Sequence, residues 1–227
     1  LYDGSSAKLW RYEMASGKSF PVTETRDYAV AEFEQAKEQS KLWMIAEDRC
    51  ETTIFSSKVD GSQFEAVLRG AALSKLSQVG NQLIFLRNSF DQPNEIYAFD
   101  LSTKTLKQLS HFNDALMGKI KFGKVESYQF KGANDELVQG WLIYPPDYDK
   151  NKTYPLLQLM HGGPHTMVGN AFSFRWNAHV MAAPGYVVTW VNRHGSTGFG
   201  EKFARSINFE WGVKPTQDIL RSTDFLI

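Results

Sequence analysis

The sequence of 227 residues has little cysteine, no excess charge of either sign and no long apolar run. Cys50 is its only cysteine, which excludes an internal disulfide and a structural zinc site built from thiolates. The 25 basic and 25 acidic residues cancel, so no global field attracts nucleic acid or an anionic membrane surface. No apolar run approaches the roughly 20 residues that span a bilayer. We therefore expect neither nucleic acid nor membrane as a partner, and no residue cluster predicts a cofactor or a metal.

The beginning of the sequence has neither an initiator methionine nor the pattern of a signal peptide. Leu1-Tyr2-Asp3-Gly4 lacks the basic start and the apolar core of such a leader. We interpret the chain as an internal piece of a longer protein or as a processed product. The remainder of the parent polypeptide is then an expected partner, and the choice between a periplasmic and a cytoplasmic location stays open.

The first half of the sequence repeats itself at a spacing of about forty residues, as the blades of a β-propeller do. Similar strand patterns surround Trp10, Phe55 and Tyr97, which are 45 and 42 residues apart. Between them, residues 42–46 and 82–86 are rich in the aromatic and branched side chains that favour inner strands. The spacing favours a propeller, although strand alternation alone also fits an ordinary antiparallel sandwich.

The repeats predict a multidomain chain that opens with a partial, all-β propeller of about two and a half blades over residues 1–115. Asp60-Gly61 is predicted to form a hairpin turn within it. So few blades cannot close a ring, and open sheet edges invite pairing. We expect the missing blades elsewhere in the parent protein, and association into a homo-oligomer is a further candidate.

A linker is predicted at residues 116–122, and the pattern changes character over residues 123–227. Residues 125–130 and 138–144 predict a hairpin, and residues 156–160 form a short apolar run typical of a buried strand. A helix at residues 173–181 and a strand at 187–191 then predict a parallel crossover. Further helices are predicted at residues 201–208 and 215–227.

A glycine motif, His161-Gly162-Gly163-Pro164, follows the predicted strand 156–160 directly. Glycines at such a place let backbone N–H groups approach a developing oxyanion, as in α/β-hydrolases. A tight turn that needs glycine only for its backbone angles is the alternative.

A second group of motifs follows: Gly185-Tyr186, residues 192–203, Glu210-Trp211-Gly212 and Asp218-Ile219. In this order and spacing after the first motif, these residues resemble the prolyl oligopeptidase family. Gly163-Pro164-His165 together with residues 192–196 resembles its bacterial dipeptidyl-peptidase V and acylaminoacyl-peptidase branch. The resemblance in motifs runs from about residue 138 to residue 227.

The resemblance implies that the propeller is followed by the N-terminal part of an α/β-hydrolase domain, and that the parent protein is a serine peptidase acting on short peptides. The elbow pattern G-x-S-x-G is absent. The nearest match, residues 194–198, has histidine in place of the first glycine, and its Ser196 follows the wrong strand. The catalytic serine, aspartate and histidine are therefore expected after Ile227, and the chain alone is predicted to be inactive.

The resemblance also implies roles for single residues. Gly163, together with Gly162, is expected to form half of the oxyanion hole. His161, Pro164, His165, Arg193 and His194 are expected at the rim of the active site. Arg193 either pairs with a carboxylate beneath the site or stabilises its own loop.

Other candidate residues are given structural roles. His111 and His179 are expected to be structural or exposed, since no H-E-x-x-H pattern or carboxylate cluster accompanies them. Asp218 and Asp224 are predicted to be helix residues rather than the catalytic acid.

Two alternative functions remain open. One is an esterase that uses the same oxyanion motif, and the other is a non-catalytic binding protein that retains propeller blades. Within the peptidase interpretation, the sequence does not distinguish dipeptidyl, acylaminoacyl and proline specificity.

Overall fold

The computed structural model describes residues 4–38 and 40–227. Strands dominate this part of the chain, and the longest of its helices has 13 residues. The strands are β1 (Trp10–Glu13), β2 (Lys18–Pro21), β3 (Val30–Gln35), β4 (Lys41–Asp48), β5 (Glu51–Lys58), β6 (Glu65–Arg69), β7 (Ala72–Val79), β8 (Gln82–Ser89), β9 (Gln92–Asp100), β10 (Leu106–Gln108), β11 (Val125–Lys131), β12 (Leu137–Ile143), β13 (Leu156–Leu159) and β14 (Val187–Asn192). The helices are α1 (Asp114–Met117), α2 (Ala178–Ala182), α3 (Glu201–Arg205) and α4 (Lys214–Leu226).

The first ten strands form three antiparallel sheets. β1 pairs with β2, β3 to β6 form a four-stranded sheet, and β7 to β10 form another. Neighbours in each sheet are consecutive in sequence and antiparallel, so each four-stranded sheet is a meander joined by short turns. The middle strands β4 and β5 are buried over most of their length, whereas β3 alternates between half-buried and exposed positions. This pattern is typical of inner strands flanked by an outer strand.

The two four-stranded sheets share one apolar core. Trp43 and Ile45 of β4 lie in the same cluster as Leu83 and Phe85 of β8 and Phe99 of β9. Each of these side chains is at most 4% exposed. Full burial of one such side chain contributes about 1.5–3 kcal/mol, so this cluster is a main source of cohesion between the sheets.

The inner strands predicted from sequence are confirmed, because residues 42–46 lie within β4 and residues 82–86 within β8. The predicted turn is confirmed as well. Gly61 has a φ of +82°, and a Cβ at this position would lie 2.4 Å from the carbonyl oxygen of Val22. Glycine is required there both for its backbone angle and for the close approach.

The last four strands form a mixed sheet in the order β11-β12-β14-β13. β11 and β12 are the predicted hairpin, in register from Val125 opposite Ile143 to Lys131 opposite Leu137. β14 pairs antiparallel with β12 and parallel with β13, which confirms the predicted parallel pair. Within the described part of the chain, β13 has a neighbour on one side only.

The helix predicted at residues 173–181 is wrong over its first half, because α2 begins at Ala178. The Oγ of Ser173 accepts a hydrogen bond from the N–H of Trp176 at 2.9 Å. The Oδ1 of Asn177 accepts one from the N–H of His179 at 2.9 Å. Such side-chain acceptors compete with helical backbone bonds, and Asn177 serves as the N-cap instead.

Of the two later helices, one agrees with its predicted bounds and the other is shorter than predicted. α4 confirms the helix predicted at residues 215–227. α3 ends at Arg205, earlier than the predicted residue 208. After it, the Oγ of Ser206 donates to the carbonyl oxygen of Phe203 at 2.7 Å, and Phe209 takes a positive φ of 66°. The chain therefore turns before a further helical turn can form.

A short helix, α1, begins two residues before the predicted linker and overlaps it. The segment leading into it is attached to β9 by the buried carboxylate of Glu95, which accepts hydrogen bonds from the hydroxyl of Ser110 and the N–H of Asn113. Among the residues that the structure describes, none of the helices has the length and apolar character needed to cross a membrane.

Candidate functional site

The glycine motif forms an exposed loop directly after β13. Gly162 and Gly163 are both exposed, and neither amide donates a hydrogen bond within the described part of the chain. Gly163 has a φ of +112°, which disfavours any residue with a Cβ. The Oγ1 of Thr166 donates to the carbonyl oxygen of Gly162 at 2.9 Å and so holds the loop from its far side. The arrangement presents backbone donors to solvent at the end of a strand, as an oxyanion hole requires.

Arg193 and Ser196, which follow β14, contact this loop through hydrogen bonds. The guanidinium of Arg193 donates to the carbonyl oxygens of His161 and Pro164, each at 3.2 Å. The Oγ of Ser196 lies 2.8 Å from Nε2 of His161. In addition, Nδ1 of His165 donates to the carbonyl oxygen of Gly195 at 3.0 Å. Four contacts therefore join residues 161–165 to the turn at residues 193–196.

The contacts of Arg193 distinguish its two expected roles. Its hydrogen bonds within the described part of the chain go to three carbonyl oxygens, those of His161, Pro164 and its neighbour His194. Burial lowers the pKa of Arg193, and the charge of the nearby Asp218 opposes this. Arg193 therefore stabilises the loop through direct bonds and interacts with a carboxylate only at longer range.

His194, expected at the rim of the active site, is buried. His194 has no exposed surface, and its ring lies 4.5 Å from the ring of Phe203. Its Nδ1 is 2.7 Å from Oδ2 of Asp218, a helix residue of α4 as predicted, which is fully buried as well. The sequence did not indicate this burial, because the partner of His194 comes 24 residues later.

The remaining predicted rim residues lie in or beside the glycine loop. His161, Pro164 and His165 are half-buried. Burial lowers the pKa of His161; its bond to the carbonyl of Gly162 opposes this effect, and the charge of Arg193 adds to it. The structure thus brings together all five of the residues expected at the rim, with His194 beneath the others.

The described residues contain no serine, histidine and carboxylate joined in series. Ser196 contacts His161, but its hydroxyl is fully buried and donates to the carbonyl oxygen of Arg193 at 2.7 Å. His194 contacts Asp218 but no serine. Ser196 therefore lacks both the accessibility and the free hydroxyl proton of a nucleophile.

Asp218 and Asn192 are functional candidates to which the sequence assigned no role in the site. The Oδ1 of Asn192 accepts from the N–H of Val168 at 2.7 Å, and its amide donates to the Val168 carbonyl at 3.0 Å. Asn192 therefore fixes the exit of the glycine loop. Asp218 lies on the buried face of α4 together with Pro215 and Ser222. A buried carboxylate requires hydrogen-bond partners, so this position in the helix could have identified Asp218 as a candidate.

A cleft of about 980 Å³ lies where the turn between β4 and β5 faces the β11–β12 hairpin. Its charged residues include Asp48, Glu51 and Arg69. The Nε of Arg69 lies 3.4 Å from Glu51 and 3.8 Å from Asp48, so these carboxylates already have a cationic partner. The glycine motif does not line this cleft. No group of three histidine, cysteine or acidic side chains suited to a metal ion occurs among the described residues.

Comparison with known sequences gives a family match at the C-terminal end. Residues 172–227 match the model of the prolyl oligopeptidase family. The chain is 28% identical over 224 residues to dipeptidyl-peptidase 5 of Porphyromonas gingivalis, covering 98% of this chain and 33% of that protein. It is 31% identical over 186 residues to dipeptidyl-peptidase 5 of Arthroderma otae, covering 79% of this chain and 26% of that protein. The chain thus spans about a third of the length of the curated relatives it matches.

Comparison with solved structures supports the fold. The chain superposes on Pyrococcus horikoshii acylaminoacyl peptidase with a TM-score of 0.84 at 24% identity, covering 98% of this chain and 34% of that one. It superposes on Porphyromonas gingivalis dipeptidyl peptidase 4 with a TM-score of 0.75 at 18% identity, covering 96% of this chain and 32% of that one. At these identities the similarity concerns the fold, which is largely β with few helices.

Proposed function

We propose that this chain, which is related to the prolyl oligopeptidase family through residues 172–227, is part of a serine peptidase that cleaves short peptides. The observation that carries the proposal is the backbone amide of Gly163, which donates no hydrogen bond to any described residue and is held at positive φ in an exposed loop directly after a parallel strand. The names of its relatives, dipeptidyl-peptidase 5 among them, support peptides as the substrate class.

In this proposal the three N-terminal sheets are blades of a propeller, one of them incomplete, and β11 to β14 are the first strands of an α/β-hydrolase domain. The repeat spacing and the four-stranded meanders support the blades. The parallel pair β13 and β14, with the glycine motif after β13, supports the hydrolase part. The propeller limits access to a site between the two parts and so restricts the enzyme to short peptides.

The chemistry follows from the oxyanion loop. A serine hydroxyl attacks the carbonyl carbon of the scissile bond and transfers its proton to a histidine, which an aspartate orients. The carbonyl oxygen becomes an oxyanion, to which the N–H of Gly163 donates, together with the N–H of the residue after the serine. The histidine then protonates the leaving amine, and water hydrolyses the acyl-enzyme.

We place the serine, aspartate and histidine in a part of the parent polypeptide outside this chain. Three observations support this placement. The described residues contain no such series, the relatives are about three times as long, and the outer edge of β13 has no neighbouring strand within the described part of the chain. The Gly163 amide then forms half of an oxyanion hole that is completed by the rest of the protein.

The test compares the full-length natural protein with the isolated 227-residue chain, using a fluorophosphonate probe that phosphonylates activated serines. The proposal expects stoichiometric labelling of the full-length protein at one serine outside this chain and no labelling of the isolated chain. Specific labelling of a serine within the isolated chain would contradict the placement of the triad. Absence of labelling in both would favour a non-catalytic binding protein.

The substrate class is tested with three chromogenic compounds: a dipeptidyl anilide with a free amine, an N-acetylated aminoacyl anilide, and a short-chain nitrophenyl ester. Turnover of either anilide supports a peptidase, and the ratio of the two distinguishes dipeptidyl from acylaminoacyl specificity. Ester turnover with no anilide turnover would overturn the peptidase proposal in favour of an esterase.

A further inference from the structure

Asp218 is a buried carboxylate that connects three separate segments of the chain. Its Oδ2 accepts the backbone N–H of His194 at 2.6 Å and lies 2.7 Å from Nδ1 of the same residue. Its Oδ1 accepts the N–H of Ala133 at 2.7 Å. Because a buried carboxylate without partners is strongly unfavourable, these three donors fix the position of the side chain. The fit is tight, since a Cβ on Gly132 would lie 2.3 Å from Oδ1.

The residue that Asp218 holds, His194, is part of the turn that supports the glycine loop. The N–H of Ser196 donates to the carbonyl oxygen of Arg193 at 3.0 Å and closes this turn. Arg193 in turn donates to the carbonyl oxygens of His161 and Pro164, on either side of the two glycines. A continuous series of hydrogen bonds therefore leads from the buried face of α4 to the loop that carries the Gly163 amide.

We propose that Asp218 is a positioning residue for the oxyanion loop, acting through His194 and the turn at residues 193–196. This inference rests on the proposed function, because it assigns a purpose to the geometry of that loop. Asp218 does not contact the loop itself. It fixes the turn in place, so that the guanidinium of Arg193 can hold the loop carbonyls and the Gly163 N–H points in one direction. Removal of a single oxyanion donor lowers kcat by about 10²–10³-fold, so a misdirected donor should cost a substantial part of that.

The first test replaces Asp218 by asparagine in the full-length protein. The amide of asparagine has nearly the same shape as the carboxylate, but one of its two ends is an NH₂ donor. That donor must face either the N–H of Ala133 or the two N–H donors of His194, so hydrogen bonds are lost. Asp224→Asn, an exposed site on the same helix, is the matched control. In Asp218→Asn we expect the NMR order parameters of the Gly162 and Gly163 amides to fall below about 0.6, the range of flexible backbone, and kcat to fall about 10–100-fold with KM within threefold.

A second pair of variants separates the hydrogen bond from packing. His194→Asn keeps a side-chain N–H near the position of Nδ1, whereas His194→Leu retains more of the side-chain volume but donates nothing. We expect the asparagine variant to keep the loop order parameters of the wild type and the leucine variant to lower them as Asp218→Asn does. If Asp218→Asn does not fold, this pair carries the test.

The results distinguish failure of this inference from failure of the proposed function. The loop order parameters are measured without any substrate, so a protein that cleaves no peptide still tests the positioning role. Order parameters of the Gly162 and Gly163 amides that are unchanged in Asp218→Asn, or that fall equally in all segments, would overturn the inference. So would equal loop order parameters in the two His194 variants. Lowered loop order parameters in a protein without peptidase activity would leave the positioning role standing and overturn the proposed function alone.

Discussion

Asn88 and Asn170 each cap the backbone of the other's segment. The Oδ1 of Asn88 accepts the N–H of Phe172 at 2.8 Å, and the Oδ1 of Asn170 accepts the N–H of Phe90 at 3.1 Å. Asn88 lies in β8 and Asn170 follows the glycine loop, so this exchange joins the N-terminal sheets to the C-terminal half. Next to it, the ring of Phe90 meets that of Trp141 edge to face at 5.2 Å.

Replacing either asparagine by alanine should weaken the attachment of the two halves. Each substitution leaves a partly buried backbone N–H without its acceptor, which costs about 1–3 kcal/mol of unfolding free energy. Asn170→Ala and Asn88→Ala are measured by urea unfolding followed through tryptophan fluorescence. Asn151→Ala, which removes only an exposed bond to Asp149, is the control and should change stability by less than about 0.5 kcal/mol. Equal effects of all three substitutions would contradict the prediction.

His179 should make the folded chain sensitive to acid. Its two ring nitrogens are buried without a hydrogen-bond partner among the described residues, and its ring packs against Phe122 at 4.8 Å. Burial lowers the pKa of His179 below its usual value of 6.5, and the charge of Asp91 opposes this. As the pH falls below about 6.5, the unfolded chain takes up a proton before the folded chain does, so the stability decreases.

The corresponding variant is His179→Phe, which keeps a ring against Phe122 and cannot be protonated. We expect its unfolding free energy to decrease less between pH 7.5 and pH 5.5 than that of the wild type. Part of the decrease should remain, because burial also lowers the pKa of His161. Val180→Ala, at an exposed position of the same helix that cannot titrate, is the control and should keep the wild-type slope. A slope in His179→Phe equal to that of the wild type would exclude His179 as a source of the acid sensitivity.

Tyr128 joins the C-terminal sheet to α4. Its hydroxyl lies 2.7 Å from the Oγ1 of Thr189 in β14 and 2.6 Å from the Oγ of Ser222 in α4. Tyr128→Phe leaves both buried hydroxyls without this partner, so we expect a loss of about 1–3 kcal/mol in unfolding free energy. The measurement is thermal or urea unfolding. Tyr186→Phe, with a partly exposed ring, is the control, and a similar loss there would contradict the assigned role.

The strands of this fold could be predicted because their signal is local. Residues 42–46 combine aromatic and branched side chains in a single run, and β4 places them in the core between two sheets. The helix at residues 173–181 could not be bounded in this way. Its apolar spacing extends back to Ser173, but the side-chain acceptors of Ser173 and Asn177 end the helix early.

Only the part of the site that lies in the glycine motif could be predicted from the sequence. Gly163 is identified by its place after a strand, and the positive φ found there accounts for the glycine. The burial of His194 depends on Asp218, 24 residues later, and on Ala133, 61 residues earlier, whose N–H shares the same carboxylate. Such a contact is set by the packing of α4 on the sheet, which no local pattern encodes.

Gly163 in the full-length protein gives the most direct test of the oxyanion loop. Gly163→Ala places a Cβ at a φ of +112° and within 2.6 Å of Cγ2 of Thr166, so the loop must shift. A shifted loop no longer directs the Gly163 N–H at the oxyanion, while contacts to the substrate elsewhere are kept. We therefore expect kcat to fall about 10²-fold with KM changed by less than threefold, measured by steady-state kinetics on the preferred anilide.

Gly185→Ala is the matched control for this variant. Gly185 has a similar φ of +106°, but a Cβ there meets no atom within 4 Å, and the residue lies at the opposite end of β14 from the turn that supports the loop. Both variants share the backbone strain of an alanine at positive φ, about 1–2 kcal/mol, and only Gly163→Ala adds the close contact with Thr166. Only Gly163→Ala should lose kcat. If it keeps kcat within threefold of the control, the glycine loop does not supply the oxyanion donor.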